Sequence, residues 1–273
     1  MTYLGVDLAW GEGTEEQSAN LSGVVALSAT GKILDAGWCE GVADVASWMD
    51  RLGGSSQSLG FIDAPLVVTN PAGQRLCETE VGRRYGRWKV SAHSTNQNSA
   101  NKAGVRLREE LERRGWSYHD GVGGPPSGGR QFSECYPYTT IVGAEELGYE
   151  DERPPYKKLN QKLPASERRA SRASICDELI SRIAGLAKAQ PPIDLLSHEV
   201  TASLVLERSP TAEKAHKQRE DLLDAAICAW TAALWDVRGF ARCQVLGVDN
   251  EGEGSNATII APAKPEQRVE SRT

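Results

Sequence analysis

Four aspartates and a glutamate stand where a carboxylate is costly unless it is used. Asp7 closes the apolar run Tyr3-Leu4-Gly5-Val6, and Asp63 closes Leu59-Gly60-Phe61-Ile62. Aspartate is depleted in strands, and a half-buried carboxylate must be paired, protonated or bound to metal. Asp221 and Asp224 sit three apart in Asp221-Leu222-Leu223-Asp224-Ala225, so both face one side of a helix near its N-terminal end. Glu134, inside Phe132-Ser133-Glu134-Cys135-Tyr136, is a further strand acid, placed to complete a ligand set or touch substrate. Two strand aspartates and a helix aspartate offer oxygen donors, open positions and no soft ligand, which suits a hard divalent cation. Plainer roles also exist: strand-end caps for Asp7 and Asp63, dipole complementation for Asp221 and Asp224, an edge-strand surface position for Glu134.

Periodicity supplies the elements that must hold these residues. Residues 2–8 read as a buried strand, and 21–28 and 33–39 as two more, joined by Ala29-Thr30-Gly31-Lys32, a glycine-containing hairpin signal. Three meandering antiparallel strands follow. The spacing predicts a helix over 42–52, then a strand over 59–68 that must cross over to run parallel to the first. Open α/β sheets bind ligands at the C-terminal ends of their parallel strands, where Asp7 and Asp63 both fall. Residues 71–101 look polar and irregular, 103–114 helical, and 121–129 a flexible loop. A strand is expected over 132–142, confined to an edge or bulge by Pro137. Long helices are expected over 164–188 and 219–237, with short strands at 243–248 and 257–261. The sum is one α/β domain over 1–262, a mixed sheet flanked by helices, with 263–273 as a disordered tail.

Composition narrows the function classes. The 273 residues carry a net charge of −6, which argues against coating nucleic acid by bulk electrostatics. Two stretches run the other way. Residues 75–130 hold eleven bases against six acids, and 153–182 eight against three, so each is +5. They are solvated helix faces or a basic approach to an acidic site. The six cysteines are scattered without a C-x-x-C pair and the four histidines are dispersed, so a structural zinc site is not expected. No basic region followed by a long apolar stretch opens the chain, and 225–235 is too short to span a bilayer. A cytoplasmic protein with no membrane contact is expected.

Taken together and in order, several motifs resemble a known family. They are GVDLAWG (5–11), FIDAPL (61–66), ECYP (134–137), KKL (157–159), DLLDAAICAWTA (221–232) and the late ATIIAP (257–262). The combination is similar to family 429 of the domains of unknown function, whose members are classed as predicted RNase-H-like nucleases. Residues 194–217 have no clear counterpart. The resemblance implies an RNase-H-like fold, with a carboxylate on the first strand of the meander, another on the parallel fourth strand, and D-x-x-D on a C-terminal helix. It implies that Asp7, Asp63 and Asp224, assisted by Asp221, hold one or two Mg²⁺ or Mn²⁺ ions that cut a phosphodiester of DNA or RNA. Lys157, Lys158 and Arg169 are then candidates to neutralise phosphate, and Trp10 to stack on a base. His93 and His119 titrate near neutrality but lie in polar, loop-like surroundings that read as surface.

Two other functions start from the same superfold. Sugar kinases and actin-like ATPases open on a G-x-D strand and hairpin, and Gly5, Gly11 and Gly13 would suit a phosphate loop, yet no second copy of the meander is visible. A non-catalytic nucleic-acid-binding or scaffold protein could keep the fold, with a protein partner or a second copy of itself.

Overall fold

The computed structural model describes residues 1–11, 20–54, 57–100, 102–248 and 256–269. The meander forms as its alternation dictates: β1 (Thr2–Asp7), β2 (Leu21–Ser28) and β3 (Ile33–Glu40) pair antiparallel in sequence. Helix α1 (Gly41–Gly53) carries the chain over one face of the sheet, and β4 (Ser58–Asp63) returns parallel to β1. Then come α2 (Leu76–Tyr85), α3 (Ala103–Arg113), β5 (Ser117–Tyr118), β6 (Arg130–Glu134) and α4 (Pro137–Gly143). The C-terminal half holds α5 (Ala165–Gly185), α6 (Glu199–Leu206), α7 (Glu213–Arg238), β7 (Cys243–Leu246), β8 (Ile259–Pro262) and α8 (Pro265–Val269). The main sheet has six strands in the order β3-β2-β1-β4-β6-β5, mixed in direction and consistent with an RNase-H-like sheet. Among the described residues, strands β7 and β8 pair only with each other.

Strand alternation gives the sheet two different faces. Leu4, Val6, Ile62 and Phe132 point toward α1 and α3 and form one core with Val45, Met49, Leu107 and Leu111. Tyr3, Leu59 and Phe61 point the other way, against α7. That helix is 26 residues long, about 39 Å at 1.5 Å per residue. It is buried continuously from Arg219 to Trp235, because the sheet covers one side and α4, α5, α6 and the β7–β8 ribbon cover the other.

Three expectations need correction. Residues 71–101 are not wholly irregular, since α2 lies within them. Its buried residues Cys77, Val81 and Tyr85 recur every four positions as a single line, too thin to stand out among charges. The strand expected over 132–142 stops at Glu134, and Pro137 opens α4 from the first turn, where its missing N–H costs nothing. The start of the expected tail is packed. Lys264 pairs with Glu150 at 2.6 Å, and Gln267 Nε2 donates to the Arg84 carbonyl at 3.0 Å. Residues 270–273 lie outside the described residues. No helix among the described residues is long and apolar enough to cross a membrane.

Candidate metal centre

Register brings the two strand aspartates together. β1 and β4 are parallel neighbours paired Asp7 to Asp63, so both carboxylates leave the same end and the same face of the sheet. That face is the one α7 covers, and glycine decides how closely. A Cβ on Gly5 would lie 2.0 Å from the Ala225 carbonyl oxygen and 2.3 Å from the Ala229 nitrogen. A Cβ on Gly23 of β2 would lie 2.2 Å from the Asp221 carbonyl oxygen. Backbone therefore packs on backbone, and the first half of α7 presses its acids against the end of β1. Carboxylate oxygens of Asp7, Asp63 and Asp224 all lie within 4.8 Å of one another.

Around this trio the charges are dense. Asp224 is fully buried, and its Oδ1 accepts a 2.5 Å hydrogen bond from the Tyr156 hydroxyl. Its Oδ2 forms an ion pair with the Lys157 ammonium but accepts no hydrogen bond of good geometry among the described residues. Lys157 also approaches Glu220 at 3.8 Å, while Lys217 pairs with Glu220 at 3.2 Å and with Asp221. Five carboxylates thus share two lysines. Burial, then the Asp7 charge, pushes the Asp63 carboxyl well above its ordinary value. Burial likewise raises Asp224, lifts Asp221 to about 8 with Asp7 adding to it, and lifts Glu220 to about 7 against the pull of Lys157. Against the burial that would lower it, Asp224, Asp7 and Asp63 hold the Lys157 ammonium well above its usual range. Such a cluster carries excess negative charge that a cation would relieve.

Asp7, Asp63, Glu220 and Asp221 line a cleft of about 820 Å³, whose walls include Trp10, Lys157 and Lys158, whereas the buried Asp224 is not part of its lining. Trp10 is 41% exposed and meets His93 edge-on at 6.5 Å between ring centroids. His93 is exposed in the same cleft, whereas His119 is remote from it, its Nε2 lying 2.8 Å from the Gly124 carbonyl oxygen.

The family described as "Protein of unknown function (DUF429)" matches residues 5–248. The chain belongs to the DUF429 family. The matched span holds every candidate carboxylate and stops before β8, so the late ATIIAP motif lies beyond it. No curated protein and no solved structure matches the chain significantly.

Two candidates sit elsewhere in this DUF429 chain. Glu134 is paired in register with Ile62, so alternation turns it to the face opposite Asp63. There it is buried and held bidentately by Arg75 at 2.6 and 2.8 Å, and it accepts from the Leu66 N–H at 3.0 Å. Burial raises its carboxyl despite the Arg75 charge. Its role is to tie the loop after β4 to the start of α2, not to ligate with the trio. Arg169 is exposed on the first turns of α5, outside the cleft lining.

Sequence reasoning passed over Lys217, Glu220, Tyr156, Tyr138 and Arg153. The first two had a signal, because Lys217–Asp221 and Glu220–Asp224 are i,i+4 pairs on one helix. Tyr138 reaches the cleft from the first turn of α4 and Arg153 from a loop, while Tyr156 is buried against Asp224, and none of the three follows a period.

Proposed function

We propose that this DUF429 chain is a divalent-metal-dependent phosphodiesterase that hydrolyses nucleic acid, working in the cytoplasm. The observation that carries this reading is the trio Asp7, Asp63 and Asp224, converging within 4.8 Å, with Asp7 and Asp63 lining a cleft that has cationic walls. The donor set fits Mg²⁺ or Mn²⁺: all three ligands are carboxylate oxygens, and Asp224 Oδ2 has a lone pair to spare. When bound there, such an ion supplies an activated water and neutralises charge developing on a phosphodiester.

The protein's own groups have definable tasks. Tyr156 fixes Asp224 through Oδ1 and leaves Oδ2 turned to the cluster. Lys217 steadies Asp221 beside Asp7, so Asp221 assists the trio without joining it. Lys157 neutralises Asp224 and, with Lys158, offers charge to the substrate phosphates. Glu220, with its carboxyl near 7 and its place in the cleft lining, exchanges a proton close to neutral pH. Six free thiols suit a reducing compartment.

The ATP-binding alternative has less to stand on. The space over Gly5 is filled by α7, and the Gly11 carbonyl already accepts from the Asn20 N–H at 3.0 Å. Gly13 lies outside the described residues. The test is cleavage of single- and double-stranded DNA and RNA with Mn²⁺ or Mg²⁺. Asp63→Asn should abolish cleavage while leaving the melting temperature unreduced. Equal cleavage by the variant, or none by the wild type on any of the four substrates, overturns the assignment.

A further inference from the structure

Two buried donors in the cleft have nothing to donate to. The Tyr138 hydroxyl and the Arg153 Nη1 are both shielded from solvent, and neither has a hydrogen-bond partner among the described residues. They are neighbours: the Arg153 guanidinium lies 4.1 Å from the Tyr138 ring centroid, and Arg153 Nε is anchored on the Lys89 carbonyl at 2.8 Å. Both side chains line the same cleft as Asp7 and Asp63. A buried unpartnered donor costs about 1–3 kcal/mol, and two side by side are matched by an acceptor-rich anion. Lys158 and Lys214 add charge on the same walls and form no ion pair among the described residues.

Farther along the wall the chemistry changes. Trp10, exposed and braced by His93, presents a flat ring at the mouth. Tyr136 is held beside Tyr138 at 5.9 Å, with its hydroxyl on the Ser91 carbonyl at 3.1 Å. An anion pocket beside stacking surfaces is the arrangement that grips a single strand, since each base of an unpaired nucleotide exposes a π-face. The volume, about 820 Å³, is that of a small-ligand cleft, and Asp7 and Asp63 in its lining are half-buried.

We propose that the cleft binds single-stranded nucleic acid, with the phosphate next to the scissile one held by Arg153 and Tyr138 and a base stacked on Trp10. This rests on the nucleic-acid reading above and narrows its substrate to an unpaired segment or strand end.

The test is binding, with Ca²⁺ present, of a fluorescein-labelled oligothymidylate and of a closed DNA hairpin with the same number of phosphates, followed by anisotropy. The single strand should bind at least about tenfold more tightly, because stacking of each base contributes roughly five- to hundredfold. Trp10→Ala should remove about that factor. Tyr138→Phe deletes only the hydroxyl, and Arg153→Met should lower the slope of log affinity against log salt by about one phosphate contact. Melting temperatures guard against unfolding; a merely structural hydroxyl would leave binding by Tyr138→Phe unchanged, which would sink the phosphate pocket. A hairpin bound as tightly as the single strand overturns the substrate class while leaving nucleic acid as the ligand. If neither probe nor an oligouridylate of the same length binds at low salt although Mn²⁺ still does, the nucleic-acid reading fails with it.

Discussion

Replacing Gly5 by alanine should damage the proposed metal centre without touching any ligand. The added methyl would start 2.0 Å from the Ala225 carbonyl oxygen and 2.3 Å from the Ala229 nitrogen, both backbone atoms of α7. Ordinary contact begins near 3.5 Å, so the helix must retreat by roughly 1.5 Å or tilt. Overpacking of this kind costs about 1–3 kcal/mol, and unyielding backbone on the receiving side favours the upper end. The same retreat carries Asp224 away from Asp7 and Asp63, whereas metal–ligand distances tolerate only about 0.2 Å. Mn²⁺ affinity should therefore fall by about 10–100-fold, the scale seen when a ligand's support is lost. Gly37→Ala is the control, since no atom lies within 4 Å of its added Cβ. It should stay within about 0.5 kcal/mol of wild type. Urea unfolding reads the stability and a Mn²⁺ titration the affinity. A Gly5→Ala protein with wild-type midpoint and wild-type titration would show that α7 is not seated on β1 as described.

Other substitutions separate structure from chemistry. Glu134→Ala removes the bidentate partner of the buried Arg75, which keeps Glu78 at 2.9 Å, and should cost about 1–3 kcal/mol by urea unfolding, while Mn²⁺ affinity of the folded fraction is kept; a stable variant that loses Mn²⁺ would return Glu134 to the ligand set. The acids also predict a pH dependence. Glu220 and Asp221 are raised to about 7 and 8, so between their unfolded values near 4 and those values the folded protein holds more protons than the unfolded chain. Their contribution to stability is therefore full below about pH 4 and is lost as pH rises through about 7 to 8. In chelator, the fall in melting temperature between about pH 6 and 8 should flatten in Asp221→Asn; an unchanged slope would mean that Asp221 does not carry it.

What could be read from the residues alone was the part governed by period and register. An aspartate closing each of two parallel strands, and D-x-x-D on an amphipathic helix, leave few places for the acids to go but together. Gly5 was read as a strand residue, and its function in seating α7 becomes visible only when the helix is in place. Glu134 misled because the hydrophobic run around it continues to Val142, hiding that Pro137 ends the strand. Its position one step behind Asp63 in register decides the face it takes. Tyr138, Arg153 and Tyr156 are illegible for another reason: the first two come to the cleft, and the third to Asp224, from distant parts of the chain, the Tyr156–Asp224 bond spanning 68 residues. Such long-range meetings have no local signature.

The central claim is that Asp7, Asp63 and Asp224 bind one divalent cation or a pair of them. Free Mn²⁺, followed by its electron paramagnetic resonance signal during titration with protein, measures this directly and independently of any substrate. Saturable binding to the wild type is expected, and its loss in Asp63→Asn, with the fold retained by circular dichroism. Identical titrations for the two proteins, or no binding to either, would contradict it.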